Sequence, residues 1–112
     1  MIKLLTLYDY LQKQHETHDE TQGIKYHCQK ALELLHTKGY CHGDFRSNNI
    51  LIRHSETPKP IAIVDFDWSG ETDKATYPPF INHIDINWPE GATDNALLQP
   101  DHDNYWLNQA LP

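Results

Sequence analysis

A cluster of polar residues occupies one short stretch of the chain, "YCHGDFRSNNILI". It places His42, Asp44, Arg46 and Asn49 between two runs that read as buried. A second acidic position, Asp65, follows in "IVDFDW", 16 residues past Asn49. Polar groups set against a core cost free energy unless they find partners. These side chains therefore either cap a turn or form a functional site. Amide and carboxylate oxygens are the ligands that hard cations bind, so one such function is metal binding.

The elements on either side of this stretch must position it. Upstream, apolar residues recur at helical spacing from Ile24 onward and form one stripe, which predicts an amphipathic helix. A capping-box pattern at Thr17 marks the start of that helix, and Gly39 marks its end. Residues 2–14 also show helical spacing and predict a first, shorter helix.

Downstream, two short β-type runs follow the polar stretch: "ILIR" (50–53) and "IAIV" (61–64). The segment between them contains two prolines and predicts a hairpin loop. Periodicity is lost after Ser69, and helical character returns over residues 100–112. The sequence therefore predicts an α+β fold, mainly helical, with a small antiparallel β-hairpin.

Length and composition limit the class of protein. The 112 residues suffice for a single domain over 1–112. The net charge of −7 argues against a nucleic-acid partner. Neither a membrane span nor a secretory signal is evident, so we expect no membrane association and a cytoplasmic or nuclear location. Cys28 and Cys41 lack CxxC spacing and read as buried thiols, while His15 and His18 read as solvated surface residues.

The polar stretch resembles a known catalytic loop. "HGDFRSNNILI" is similar to the H-[RG]-D-x-x-x-x-N pattern of the protein-kinase-like superfamily, and "DFD" resembles the D-F-G that follows it. A capped turn would explain Gly39 and one asparagine, but not the whole combination. The resemblance implies part of the large, C-terminal lobe of a kinase. It also implies an ATP- and magnesium-dependent transfer of a phosphoryl group to a protein or small-molecule hydroxyl.

The resemblance assigns a role to each residue of the motif. Asp44 would orient the acceptor hydroxyl and take its proton, and Asn49 and Asp65 would bind Mg²⁺ on the phosphates of ATP. Arg46 lies where protein kinases commonly carry a lysine that steadies the transferring phosphoryl group. The alternative for Arg46 is a weak surface ion pair.

Two further residues would support the loop. The resemblance implies that His42 holds it against the backbone near Asp65. "HDNYW" resembles the D-x-[WY] of the large lobe's central helix, in which Asp103 would hydrogen-bond the loop backbone, and the alternative is a helix N-cap. "WPEG" (88–91) could stand for the A-P-E that closes an activation segment, or form a proline turn.

The chain also departs from the family pattern. Gly43 replaces the arginine that regulated protein kinases use to read a phosphorylated loop, and H-G-D is the form of aminoglycoside- and choline-type phosphotransferases. Asp67 replaces the glycine of D-F-G. The glycine-rich loop, strand lysine and helix glutamate of the small lobe are not among these residues. We therefore expect little activity from this chain in isolation.

Two hypotheses follow from this pattern. The first is a phosphotransferase core that needs a small-lobe or other protein partner. The alternative is a non-catalytic, pseudokinase-like binding module or a truncated remnant. Phe66, Trp68, Tyr105 and Trp106 would be left without their usual packing partners, which predicts an apolar patch and self-association.

Overall fold

The computed structural model describes residues 5–13, 18–53 and 61–112, and within them the fold is α+β. It contains three α-helices and two small antiparallel sheets. The helices are α1 (Leu7–Gln12), α2 (His18–Thr37) and α3 (Pro100–Ala110). The strands are β1 (Leu5–Thr6), β2 (Tyr40–Cys41), β3 (Ile50–Ile52), β4 (Ile61–Ile63) and β5 (Gly70–Glu71).

The predicted hairpin is present as the antiparallel pair β3–β4, with Ile50 opposite Ile63 and Ile52 opposite Ile61. The loop predicted at 54–60 lies outside the described residues. A second pair was not predicted: β2 runs antiparallel to β5, with Cys41 opposite Gly70. The two pairs place the polar stretch between two backbone ladders, which restrict its position.

The prediction of one helix over residues 2–14 was wrong at its start. Leu5 and Thr6 form β1, which pairs antiparallel with β3 and extends that sheet to the order β1-β3-β4. The Thr6 side chain then accepts a hydrogen bond of 3.0 Å from the Asp9 amide and so caps α1. Strand pairing overrides the helical spacing because β3 offers backbone partners that the sequence does not reveal. The helix start predicted at Thr17 lies outside the described residues.

The first apolar cluster lies under α2 and uses the stripe that the sequence predicts. Ile24, Cys28 and Leu32 of α2 are buried. They belong to one cluster with Phe45 and Ile50 from the polar stretch and strand β3. Burial raises the pKa of the Cys28 thiol to about 12, so this thiol is protonated at neutral pH. The Phe45 ring of the loop is fully buried in this cluster, and its packing there fixes the position of the loop.

A second apolar cluster organises the segment between β5 and α3. Tyr77, Trp88 and Leu98 are buried there, and Trp68 stacks on Trp88 with ring centroids 5.6 Å apart. Trp106 packs against both clusters, whereas Phe66 is 47% exposed. Most of the predicted aromatic patch is therefore partly covered by the chain's own residues.

A buried histidine ties this segment to α3. Burial lowers the pKa of His102, with partial opposition from the negative charges of Asp103 and Asp101. The neutral ring can therefore accept a hydrogen bond, and the Tyr77 hydroxyl donates one of 2.9 Å to Nδ1 of His102. None of the helices among the described residues is both long and apolar enough to cross a membrane.

Candidate active site

A single buried carboxylate anchors the polar stretch to α3. Asp103 is 1% exposed, and its two oxygens accept hydrogen bonds from the backbone amides of His42 (2.8 Å) and Gly43 (3.1 Å). The N-cap of α3 is Gln99, so Asp103 lies inside the helix. The alternative reading of Asp103 as an N-cap was therefore wrong. Residues about 60 positions apart in sequence meet here, which joins the catalytic-type loop to the last helix.

His42 connects the same loop to the end of β4. Its Nδ1 accepts a hydrogen bond of 3.1 Å from the Asp44 amide, so the proton lies on Nε2. Nε2 then donates to the Val64 carbonyl at 3.0 Å. The ring is fully buried and also contacts the Phe66 ring at 4.9 Å between centroids. The loop and the residue before Asp65 are therefore held together by one imidazole.

Asp44, Arg46 and Asn49 form one hydrogen-bonded group. Arg46 binds the Asp44 carboxylate through two bonds, Nε to Oδ1 at 2.6 Å and Nη2 to Oδ2 at 3.2 Å. The Asn49 amide nitrogen donates to the Asp44 carbonyl (2.8 Å) and to Oδ2 (3.1 Å). A single 3₁₀ turn, Ser47–Asn49, brings Asn49 back to Asp44. Asp44 is only 7% exposed, so this carboxylate is held in one orientation.

A backbone hydrogen bond of the preceding residue places the backbone of Asp65 next to this group. The Val64 amide donates a hydrogen bond of 3.0 Å to the Asn49 carbonyl, and Asp65 is the next residue. Asp65 adopts a left-handed conformation with φ of 60°, which is unfavourable for a non-glycine residue. Such strain is common where a side chain must be aimed at a functional site.

Two oxygen groups of this site are of the chemical kind that binds magnesium. Both hydrogens of the Asn49 amide face Asp44, and no described residue donates a hydrogen bond to its Oδ1. The Asp65 side chain is exposed and likewise has no hydrogen-bond partner among the described residues. One amide and one carboxylate oxygen are suitable ligands for a hard cation that keeps several waters. The structure thus joins Asp44, Arg46 and Asn49 directly, and it brings Asp65 alongside through main-chain pairing.

Gly43 allows the loop to approach the "DFDW" segment closely. Its φ is 89°, and a Cβ at this position would lie 2.7 Å from the carbonyl oxygen of Trp68. Only glycine combines that conformation with that contact at no steric cost. The departure from arginine at this position therefore has a structural reason in this chain: the backbone of Trp68 fills the place of a side chain.

The variant Gly43→Ala is expected to lower the free energy of unfolding by about 1–3 kcal/mol, since it combines an unfavourable φ with a backbone clash. The matched control is Gly23→Ala in α2, where an added Cβ meets nothing within 4 Å. That change should stabilise the protein by about 0.5–1 kcal/mol. Urea unfolding of both variants measures the two effects. Equal stability of the two variants would contradict the close approach of Gly43 to Trp68.

A cavity of about 440 Å³ opens next to the Arg46 side chain. It lies between α1, the loop and α3, and its lining includes Tyr8, Asp85, Trp106 and Gln109. The Arg46 guanidinium also lies over the Trp88 ring, 5.7 Å from the centroid. Arg46 thus separates the Asp44 carboxylate from a space large enough for a small-molecule group.

Two contributors to the site were not found from the sequence. Nε2 of His36 in α2 donates a hydrogen bond of 2.9 Å to Oδ2 of Asp103. The Trp68 carbonyl fixes Gly43 through backbone contact alone. Neither has a local sequence signal, because each acts on a residue distant in the chain.

Comparison with known families gives one match over most of the chain. Residues 4–74 match the model of the phosphotransferase enzyme family. This region includes the whole loop, the hairpin and Asp65. The sequence-based resemblance to the protein-kinase-like superfamily is thereby confirmed.

Two curated relatives are also similar. They are the MAP kinase-interacting serine/threonine-protein kinase 1 of Xenopus tropicalis and that of Xenopus laevis, each 33% identical over 63 residues. The match covers 55% of this chain but only 15% of each relative. No solved structure matches significantly.

Proposed function

The chain belongs to the phosphotransferase enzyme family, and from this premise we propose that it carries the base and metal-binding residues of an ATP- and magnesium-dependent phosphotransferase acting on a hydroxyl group. The observation that carries the proposal is the hydrogen-bonded group of Asp44, Arg46 and Asn49 directly beside Asp65. Phosphoryl transfer depends on positioning and charge neutralisation more than on covalent help, and this group offers both.

Each side chain has a role that its contacts support. Asp44 orients the acceptor hydroxyl and takes its proton, because its carboxylate is held by Arg46 and Asn49. Asn49 Oδ1 and the Asp65 carboxylate would hold Mg²⁺, and the ion would neutralise charge on the phosphates of ATP. Arg46 binds Asp44 and also lines the cavity, so its side chain can contact an acceptor or a transferring phosphoryl group there. His42 and Asp103 keep the loop in place.

One observation favours the alternative, a non-catalytic binding module. Arg46 occupies both oxygens of Asp44, and the carboxylate is nearly buried. A general base must reach a hydroxyl, so Arg46 has to release one oxygen for catalysis. In the alternative, this ion pair is permanent and the site binds nucleotide without transferring phosphate.

We expect Mg·ATP to bind weakly to these 112 residues alone, since they contain no glycine-rich loop or strand lysine to clamp the phosphates. Titration calorimetry at micromolar ATP should show little heat. At millimolar ATP, amide NMR signals of Asn49 and Asp65 should shift only when Mg²⁺ is present, and Asp65→Asn should abolish the shifts. Magnesium-independent shifts, or shifts that persist in Asp65→Asn, would contradict the metal assignment.

A further inference from the structure

Three groups of the kind that ligate transition metals meet in the described part of the chain, behind the loop. They are His36, Cys41 and Asp103, and their ligand atoms all lie within 4.8 Å of one another. Each comes from a different element: His36 from α2, Cys41 from β2 and Asp103 from α3. Two of them already touch, with His36 Nε2 lying 2.9 Å from Asp103 Oδ2.

The chemistry of this set differs from that of the proposed magnesium site. A thiolate, an imidazole and a carboxylate together suit zinc, whereas magnesium takes oxygen ligands. Zinc bonds of about 2.0–2.3 Å in tetrahedral geometry place ligand atoms roughly 3.3–3.8 Å apart. The separations of ligand atoms that now lie within 4.8 Å of one another therefore need to shorten by at most about 1.5 Å, and the His36–Asp103 separation of 2.9 Å needs to widen slightly. Cys41 and Asp103 are buried, and the His36 side chain is 15% exposed.

We propose that His36, Cys41 and Asp103 form a binding site for a zinc-class divalent ion. The ion bonds to His36 Nε2, whose hydrogen moves to Nδ1 by a change of tautomer, and to Asp103 Oδ2. The Cys41 thiol loses its proton to solvent and binds as thiolate, so one proton is released for each ion bound to a neutral His36. A water molecule would complete the tetrahedron, as in other zinc sites with three protein ligands.

The site leaves the loop anchor in place. Asp103 Oδ1 keeps the Gly43 amide, and Oδ2 keeps the His42 amide while the ion takes the place of the hydrogen shared with His36. The ion would therefore tie α2, β2 and α3 together directly behind the catalytic-type loop. Burial, with the negative charges of Asp103 and Asp73, raises the pKa of the Cys41 thiol against a lowering hydrogen bond from Thr72. Protons thus compete with the ion, and binding should strengthen as pH rises.

The experiment uses the full 112-residue chain, stripped of metal, with Zn²⁺ for affinity and Cd²⁺ as the spectroscopic probe. One equivalent of Cd²⁺ should give a sulfur-to-metal charge-transfer band, and Zn²⁺ should remove that band and raise the melting temperature. Cys41→Ser and His36→Gln should each weaken Zn²⁺ binding by more than about 100-fold, the upper range for changes outside the ligand set. Cys28→Ser, which alters the other buried thiol, should leave affinity and band unchanged.

Three outcomes would overturn the site: no band at one equivalent of Cd²⁺, a band that survives Cys41→Ser, or a band lost in Cys28→Ser. Unchanged Zn²⁺ affinity in His36→Gln would do the same. Far-UV circular dichroism of each variant checks that it is folded, and both substitutions are small enough to keep the hydrogen bonds of Asp103 to the loop. No phosphotransfer is measured, so the result is independent of the function proposed above.

Discussion

Asp44→Asn is expected to lower the rate of phosphoryl transfer by about 10²- to 10⁴-fold, the usual contribution of a positioned general base. The rate is measured in a protein that joins this chain to a nucleotide-binding lobe, in the same polypeptide or as a separate one. Asparagine keeps the size of Asp44 and one oxygen that accepts from Arg46, but it cannot take the proton of a hydroxyl. Nucleotide affinity should barely change, because in the proposed mechanism Asp44 contacts the acceptor and not the phosphates.

Asp65→Asn should behave differently from Asp44→Asn. It weakens a proposed ligand of Mg²⁺, so both nucleotide binding and turnover should fall. Asp9→Asn, an exposed carboxylate in the first turn of α1, is the matched control and should leave both quantities unchanged. If Asp44→Asn turns over as fast as the parent protein, Asp44 is scaffolding. The hypothesis of a binding module, in which Arg46 never releases the carboxylate, would then replace the hypothesis of an enzyme.

Asp103→Ala is expected to lower the free energy of unfolding by about 2–6 kcal/mol, because it removes the acceptor of two buried backbone amides. The alanine would leave the amides of His42 and Gly43 buried without acceptors, each a cost of about 1–3 kcal/mol, and would also free His36. Single domains are stable by only about 5–15 kcal/mol, so this one change removes much of the total. Urea or thermal unfolding measures it.

Two variants sharpen that measurement. Asp101→Ala removes an exposed carboxylate from the first turn of the same helix and should cost less than about 1 kcal/mol, through the helix dipole alone. Asp103→Asn keeps one oxygen acceptor for two amides, so its free energy of unfolding should lie between those of the two alanine variants. If Asp103→Ala proves as stable as Asp101→Ala, the loop does not depend on this anchor.

Elements with a continuous local signal were predicted well. The apolar stripe from Ile24 correctly predicted α2 and its buried face, and the two apolar runs correctly predicted the β3–β4 hairpin. Strands β1, β2 and β5 have only two residues each, too few to show a period, and they exist because a partner strand lies alongside. For the same reason helical spacing over residues 2–14 misplaced the start of α1.

The sequence by itself determined the motif residues Asp44, Arg46, Asn49 and Asp65, because residue type and spacing along one loop are local properties of the chain. Only the tertiary structure decided how they are held. Arg46 forms hydrogen bonds with Asp44, and Asp103 replaces water as the acceptor for two loop amides. The backbone of Trp68 leaves room only for a glycine at position 43. The physical reason is that hydrogen bonds and steric contacts depend on distance in space. The helix that supplies Asp103 is about 60 residues away in sequence, so no local pattern could report it.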